Sequence, residues 1–191
     1  MNGVTGIVTG VVLAGGQGRR MGGVDKGLQL LHGKPMVAAV LARLAPQVDE
    51  ILINANQNLG IYAGFGHRLV PDAIGGFAGP LAGLHAGLSA ASRPLVLTVP
   101  CDSPFLPLDL FSRLEKHMHE NDLAVAKTGD QPHPVFALVR TTVRKNLGEF
   151  LSRGGRKIDA WYASLKVVEV SFDDEADAFR NINTREELNS A

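Results

Sequence analysis

The stretch Leu13-Ala14-Gly15-Gly16-Gln17-Gly18-Arg19-Arg20-Met21-Gly22-Gly23-Val24-Asp25-Lys26 sets glycines beside Arg19, Arg20 and Lys26 with little bulk between them. Glycine lets backbone N–H groups approach an anion with no Cβ in the way, and the three cations add full positive charge. That is the chemistry of a phosphate cradle. A second feature, Pro100-Cys101-Asp102-Ser103-Pro104, holds one carboxylate between two prolines. Mg²⁺ is commonly bound by one or two carboxylates together with substrate phosphates, and Asp102 suits that role. The same aspartate also fits a helix cap or an Asx-turn before Pro104. Two commoner glycine loops do not match. Gly16, Gly18 and Gly22 miss the spacing of a dinucleotide fingerprint, and Gly27 to Gly33-Lys34 is followed by Pro35 where a Walker loop needs a hydroxyl.

These residues need elements that bring them together. Ile7 to Leu13 is an apolar, β-branched run that predicts a first strand ending at the glycine loop. A helix follows with Pro35 in its first turn and Met36, Val37, Val40, Leu41 and Leu44 on one face. Strands are expected over Glu50 to Asn54, over Arg68 to Pro71 with Asp72 beyond it, and over Pro94 to Val99 leading into Asp102. A short helix is expected near Ile61-Tyr62, and Pro80 to Leu88 opens a helix whose small residues permit close packing. Further on, Leu106 to Met118 reads as helical, and Leu123 to Lys127 and Pro134 to Val139 read as strands able to pair as a hairpin. Helices over Thr141 to Leu151 and Arg156 to Leu165, a strand over Lys166 to Val170, and a last helix capped by Thr184 and Glu187 complete the pattern.

Strands alternating with helices predict an α/β fold: a mostly parallel sheet covered on both faces, with an antiparallel addition. The 191 residues, 45% of them apolar, fit one domain spanning 1–191. Lys+Arg and Asp+Glu are equal at 19 each, so no global field favours a nucleic acid or an anionic membrane, and the expected partner is small. No apolar run approaches the roughly 20 residues that span a bilayer, and a lone Cys101 fits a reducing cytoplasm. Cys101 reads as a small buried apolar group, His85 as a packing or capping residue, and His117 and His119 lack the partners of a zinc site.

In open α/β sheets ligands bind beyond the carboxyl ends of the strands, and the glycine loop, Asn54, Asp72 and Asp102 all fall there. Asn54 and Asp72 are equally open to turn-forming roles. His133, before Pro134, opens a strand near the same crevice, though a purely structural role is the favoured reading for it.

Taken with Gly33-Lys34-Pro35, Asn54-Ala55-Asn56, Gly79-Pro80-Leu81-Ala82-Gly83, His133-Pro134 and Asn181-Ile182-Asn183-Thr184, these motifs resemble the molybdenum cofactor guanylyltransferase family of the nucleotidyltransferase superfamily. The likeness runs from about residue 9 to the end, in order and with compatible spacing. It implies a Rossmann-like three-layer α/β/α fold and transfer of GMP from GTP with Mg²⁺ to the terminal phosphate of molybdenum-molybdopterin, with release of pyrophosphate. By the same resemblance Leu13, Ala14, Gly15 and Gly16 would hold the nucleotide, Lys26 its phosphates, Asn54 and Asp72 the guanosine side, and Asp102 the nucleotide and the metal. Arg20 matches the family's loop arginine, and Arg20, Lys26 and Asp102 are the expected catalytic set. His133, Arg156, Asn181 and Asn183 are candidate contacts for the molybdopterin phosphate. Cofactor-delivery proteins and molybdoenzymes are the partners the family implies, and a cytoplasmic monomer is expected. Arg185 stands where the family usually has proline, which bears on a helix start. A cytidylyltransferase or sugar-phosphate nucleotidyltransferase on the same scaffold, and a nucleotide-binding module without chemistry, are the competing readings.

Overall fold

The computed structural model describes residues 6–15, 25–74 and 79–182. Their elements, in chain order, begin with β1 (Val8–Leu13), the two-residue strands β2 (Leu30–Leu31) and β3 (Lys34–Pro35), and α1 (Met36–Leu44). Next come β4 (Glu50–Asn54), α2 (Leu59–Ala63), β5 (Arg68–Leu69), α3 (Pro80–Ala90), β6 (Leu95–Pro100) and α4 (Leu110–Glu115). The last part holds β7 (Leu123–Thr128), β8 (Gln131–Arg140), α5 (Arg144–Ser152), α6 (Ile158–Tyr162) and β9 (Val167–Ser171).

Seven strands form one sheet in the order β5-β4-β1-β6-β8-β7-β9. Only β8 runs against the others: it is antiparallel to both β6 and β7, whereas β1 pairs in parallel with β4 and β6, and β7 with β9. The expected hairpin of β7 and β8 is present. Its register slips between Val125 and Ala126, where the partner strand passes from Ala137 to His133. Pro132 and Pro134 lie at that end of β8, and proline, which cannot donate to a ladder, is tolerated at such irregularities.

Neighbouring residues of each strand serve opposite faces. Val8, Val12, Ile53, Leu97 and Val99 join α1 and α4 on one side, while Val11, Leu52 and Val96 join α3, Leu147 of α5 and Trp161 of α6 on the other. Burial on both faces explains why the strands read as unbroken apolar runs. On α3, Gly83 and Gly87 make the close approach possible: a Cβ at Gly87 would stand 2.8 Å from Val11 Cγ2.

Several boundaries differ from the sequence reading. The helix expected over Leu106 to Met118 contracts to Leu110–Glu115: Pro107 disfavours helical geometry at Leu106, Asp109 caps the helix at φ −115°, and His119 lies beyond its end at positive φ. Thr141 to Val143 is a 3-10 turn that precedes α5, and the helix expected from Arg156 begins only at Ile158. Arg68 to Pro71 forms a two-residue edge strand, extended by one hydrogen bond from Val70 N to Ile53 O at 2.9 Å. The Gly33-Lys34-Pro35 turn belongs to a miniature hairpin, with His32 (φ 49°) and Gly33 (φ 78°) at its tip. The 3-10 segment Asp173–Phe179 had no sequence signal, and the helix expected after Thr184 lies outside the described residues.

Candidate active site

Parallel pairing puts the ends of three strands side by side: Leu13 is opposite Asn54 on β4 and opposite Pro100 on β6. Ala14 N donates to Asn54 O at 2.8 Å and Cys101 N donates to Leu13 O at 3.2 Å, so the exit of β1 is stitched to both neighbours. With strands about 4.8 Å apart, residues leaving β4 and β6 stand roughly 10 Å from each other across that exit. A nucleotide laid over the end of β1 would touch both.

On the β4 side, Asn54 is buried and its Nδ2 donates to Val70 O at 3.0 Å and to Asp72 Oδ1 at 2.8 Å. Asn56 Nδ2 donates to Asp72 Oδ2 at 2.9 Å and more weakly to Gly15 O at 3.4 Å, while Asp72 N donates back to Asn56 Oδ1 at 2.9 Å. Asp72 is thereby fixed by two neutral amides. Each carboxylate oxygen has two lone-pair directions, so both can accept a further donor from a base edge. Gly15 and Gly83 make room for this network. A Cβ at Gly15 would lie 2.7 Å from Asn56 Nδ2, and one at Gly83 would collide with Asn54 Oδ1.

On the β6 side, Lys26 Nζ and Asp102 Oδ2 form an ion pair at 3.2 Å, with the lysine side chain 28% exposed and the aspartate 11%. The two residues come from loops 76 positions apart in the chain. Asp25 is held separately: Tyr62 Oη donates to its Oδ1 at 2.7 Å and Asn58 Nδ2 to its Oδ2 at 3.0 Å. Burial, with the nearby Cys101 and Asp25, pushes the Tyr62 hydroxyl far above its usual value and keeps it a proton donor. Burial also pushes the Cys101 thiol up, reinforced by Asp102 and Asp25 and only partly offset by Lys26. A protonated, enclosed thiol is no nucleophile. The loop after Asp102 is tied to the C-terminal segment, since Ser103 Oγ donates to Asn181 Oδ1 at 2.5 Å and Ile182 N to Asp102 O at 3.0 Å.

Leu13, Ala14, Gly15, Lys26, Asn54, Asp72 and Asp102 therefore gather at one sheet edge, and Asn181 joins the Asp102 loop. Gly16, Arg20 and Asn183 lie outside the described residues. His133 stacks on Phe179, ring centroids 4.7 Å apart, and pairs with Thr128 Oγ1 at 2.7 Å; burial lowers its pKa. Arg156 Nη1 donates to the carbonyls of Leu151 and Gly155 at 2.9 and 2.7 Å, closing the end of α5. His85 lies on α3 against α5, where burial and then the Arg144 charge lower its pKa. Among the described residues no group of three or more His, Cys, Asp or Glu could enclose a metal. A single carboxylate that leaves the remaining positions to substrate phosphates is the arrangement Mg²⁺ takes, so the donor set at Asp102 fits that ion. Sequence reasoning missed Asp25, Asn58 and Tyr62. Asp25 adjoins Lys26 and could have been suspected; nothing in the sequence ties Tyr62 to it.

A family profile described as a MobA-like NTP transferase domain matches residues 10–167. Molybdenum cofactor guanylyltransferase of Ralstonia nicotianae is 50% identical over 192 aligned residues, covering 95% of this chain and 94% of that protein. The protein of the same name from Burkholderia vietnamiensis is 52% identical, covering 97% and 95%. Among solved structures, molybdopterin-guanine dinucleotide biosynthesis protein A of Archaeoglobus fulgidus superposes with a TM-score of 0.79 at 26% identity, covering 95% of each chain. The 4-diphosphocytidyl-2C-methyl-D-erythritol synthase of Anaerococcus prevotii shares the fold, with a TM-score of 0.75 at 13% identity over 97% of this chain and 94% of the other.

Proposed function

This chain belongs to the molybdenum cofactor guanylyltransferases, within the MobA-like NTP transferases, and we propose that it transfers GMP from GTP to the terminal phosphate of molybdenum-molybdopterin, releasing pyrophosphate. The observation that carries this reading is the pairing of Lys26 with Asp102 one strand away from the Asn54–Asp72–Asn56 network, both beside the exit of β1.

The chemistry follows from charge. A phosphate monoester has its second pKa near about 6, so the acceptor is already largely a dianion at neutral pH and needs no general base. What must be overcome is repulsion between that dianion and the triphosphate, and the charge that builds on departing pyrophosphate. The ammonium of Lys26 supplies positive potential along the phosphates and Arg20 adds to it, while Leu13, Ala14, Gly15 and Gly16 border the nucleotide with their backbone, the Ala14 N–H itself being taken up by Asn54 O. Asp102 is the residue that would hold Mg²⁺, which when bound supplies Lewis-acid neutralisation of phosphoryl oxygens. Asn54 and Asp72 orient the guanosine, Asp72 by accepting from N1–H and the 2-amino group. That edge distinguishes guanine from cytosine. For the second substrate, Asn181 is placed at the Asp102 loop, and Asn183, His133 and Arg156 complete the candidate set. The Arg156 guanidinium would act from its position at the end of α5.

No helix among the described residues is long and apolar enough to cross a membrane. We place the enzyme in the cytoplasm as a monomer, receiving molybdopterin from delivery proteins and passing the dinucleotide to molybdoenzymes. The test is pyrophosphate release by the purified chain with molybdenum-molybdopterin and each NTP in turn with Mg²⁺. Turnover with GTP alone is expected. Turnover with CTP, or with sugar phosphates in place of molybdopterin, would replace this reading with another transferase on the same fold, and GTP binding without turnover would replace it with a binding module.

A further inference from the structure

The turn that carries Lys26 is gripped from two sides. Gly27 sits where a Cβ would meet Tyr62 Oη at 2.7 Å and Cys101 Cβ at 3.1 Å, so the chain passes between α2 and the residue that precedes Asp102. The preceding Asp25 has one oxygen bonded by the Tyr62 hydroxyl and the other by the Asn58 amide. Asn58 achieves this from a left-handed backbone (φ 52°), a conformation asparagine tolerates better than most residues. Tyr62 is fully buried, so its hydroxyl has a fixed place.

We propose that Tyr62 and Asn58 are positioning residues for the reaction: by giving each oxygen of the Asp25 carboxylate a neutral donor, they hold it in place and weaken its competition with Asp102 and the nucleotide phosphates for Lys26. The physical reason is proximity. Asp25 and Lys26 are consecutive, and a carboxylate stripped of its hydrogen bonds draws the nearest cation to itself. Neutral donors satisfy the charge without cancelling the ammonium that the phosphates need. Neither Tyr62 nor Asn58 has to touch substrate. The inference rests on the reading that Lys26 meets the triphosphate.

The experiment is a double-mutant cycle on GTP affinity, measured by equilibrium titration with Mg²⁺ for the parent chain, Tyr62→Phe, Lys26→Ala and the pair. Tyr62→Phe keeps the ring and removes one hydrogen bond to a charged group, which is expected to weaken GTP binding by about ten-fold. In the Lys26→Ala background the same change is expected to cost less than about two-fold, because the lysine it positions is gone. A merely structural tyrosine would lower affinity equally in both backgrounds, and that result overturns the proposal. So does an unchanged affinity in Tyr62→Phe, even with a lowered melting temperature. If Lys26→Ala alone binds GTP like the parent, the phosphate role of Lys26 fails and this inference falls with it. Should Tyr62→Phe not fold, the exposed Asn58→Ala enters the same cycle with the same expected non-additivity.

Discussion

Replacing Gly83 by alanine tests whether the Asn54–Asp72 network is as rigid as its hydrogen bonds imply. A Cβ at this position would collide with Asn54 Oδ1 and stand 2.9 Å from both Asn54 Cγ and Leu13 Cδ2. Asn54 cannot turn aside freely, since its amide bonds Val70 O at 3.0 Å and Asp72 at 2.8 Å. Two responses remain. If α3 backs away from the sheet, overpacking costs about 1–3 kcal/mol; if Asn54 rotates, a hydrogen bond to a charged group worth about 1.5–3 kcal/mol is lost. Alanine regains about 1 kcal/mol of helix propensity, so the net loss is about 0–2 kcal/mol, or up to about 8 °C in melting temperature for a chain of this size. GTP affinity should fall by about ten-fold or more, because either response moves Asn54 relative to Asp72. Gly87→Ala is the control. It meets Val11 Cγ2 at 2.8 Å on the same helix face but away from the polar network, and should lower the melting temperature while leaving GTP affinity within about two-fold. Thermal melts and equilibrium titration of both variants decide the matter. If Gly83→Ala melts and binds like the parent, or if Gly87→Ala loses affinity to the same degree, the account of the network is wrong.

Asp102→Asn preserves shape while removing the charge that faces Lys26 at 3.2 Å, and should lower GMP transfer by at least about a hundred-fold with little change in melting temperature; parental turnover would refute the metal assignment. Asn56→Ala removes an exposed donor that holds Asp72 Oδ2 at 2.9 Å, so titration should show GTP affinity falling by about ten-fold and melts should show almost no loss of stability. Both His85 and His133 have folded pKa values depressed by burial, with Arg144 contributing at His85, so the unfolded chain binds more protons below about pH 6.5. Stability should therefore decline as pH drops through about 6.5 toward the depressed values, and His133→Gln should flatten the dependence of melting temperature on pH in that window. A slope equal to the parent's would exclude His133 as a source. Glu50 acts lower down. Burial opposes its charge, but hydrogen bonds from Thr9 and Ser92 outweigh that and depress its pKa, so its contribution is present above about pH 4.5 and lost as pH falls through the folded value. Glu50→Gln should remove that acid-range loss in the same melts.

Local patterns in the chain were enough to set the sheet and the address of the candidate site. Apolar runs at Ile7 to Leu13, Glu50 to Asn54 and Pro94 to Val99 are long enough to demand burial on both faces, and polar residues at their ends must then share one edge. Local physics also fixed Gly33 at its positive-φ turn and the buried face of α1, because both depend on neighbours within a few residues. Tertiary structure alone decided the rest. Helix ends shifted at the Asp109 cap of α4 and at the 3-10 turn before α5, and Arg156 and His133, which the resemblance made candidate contacts for the molybdopterin phosphate, pack against a helix end and the Phe179 ring. The pairings of Tyr62 with Asp25, Asn56 with Asp72 and Ser103 with Asn181 span 37, 16 and 78 positions. Contacts at such separations are made only once the strands are in register, so no local pattern of residue types carries them.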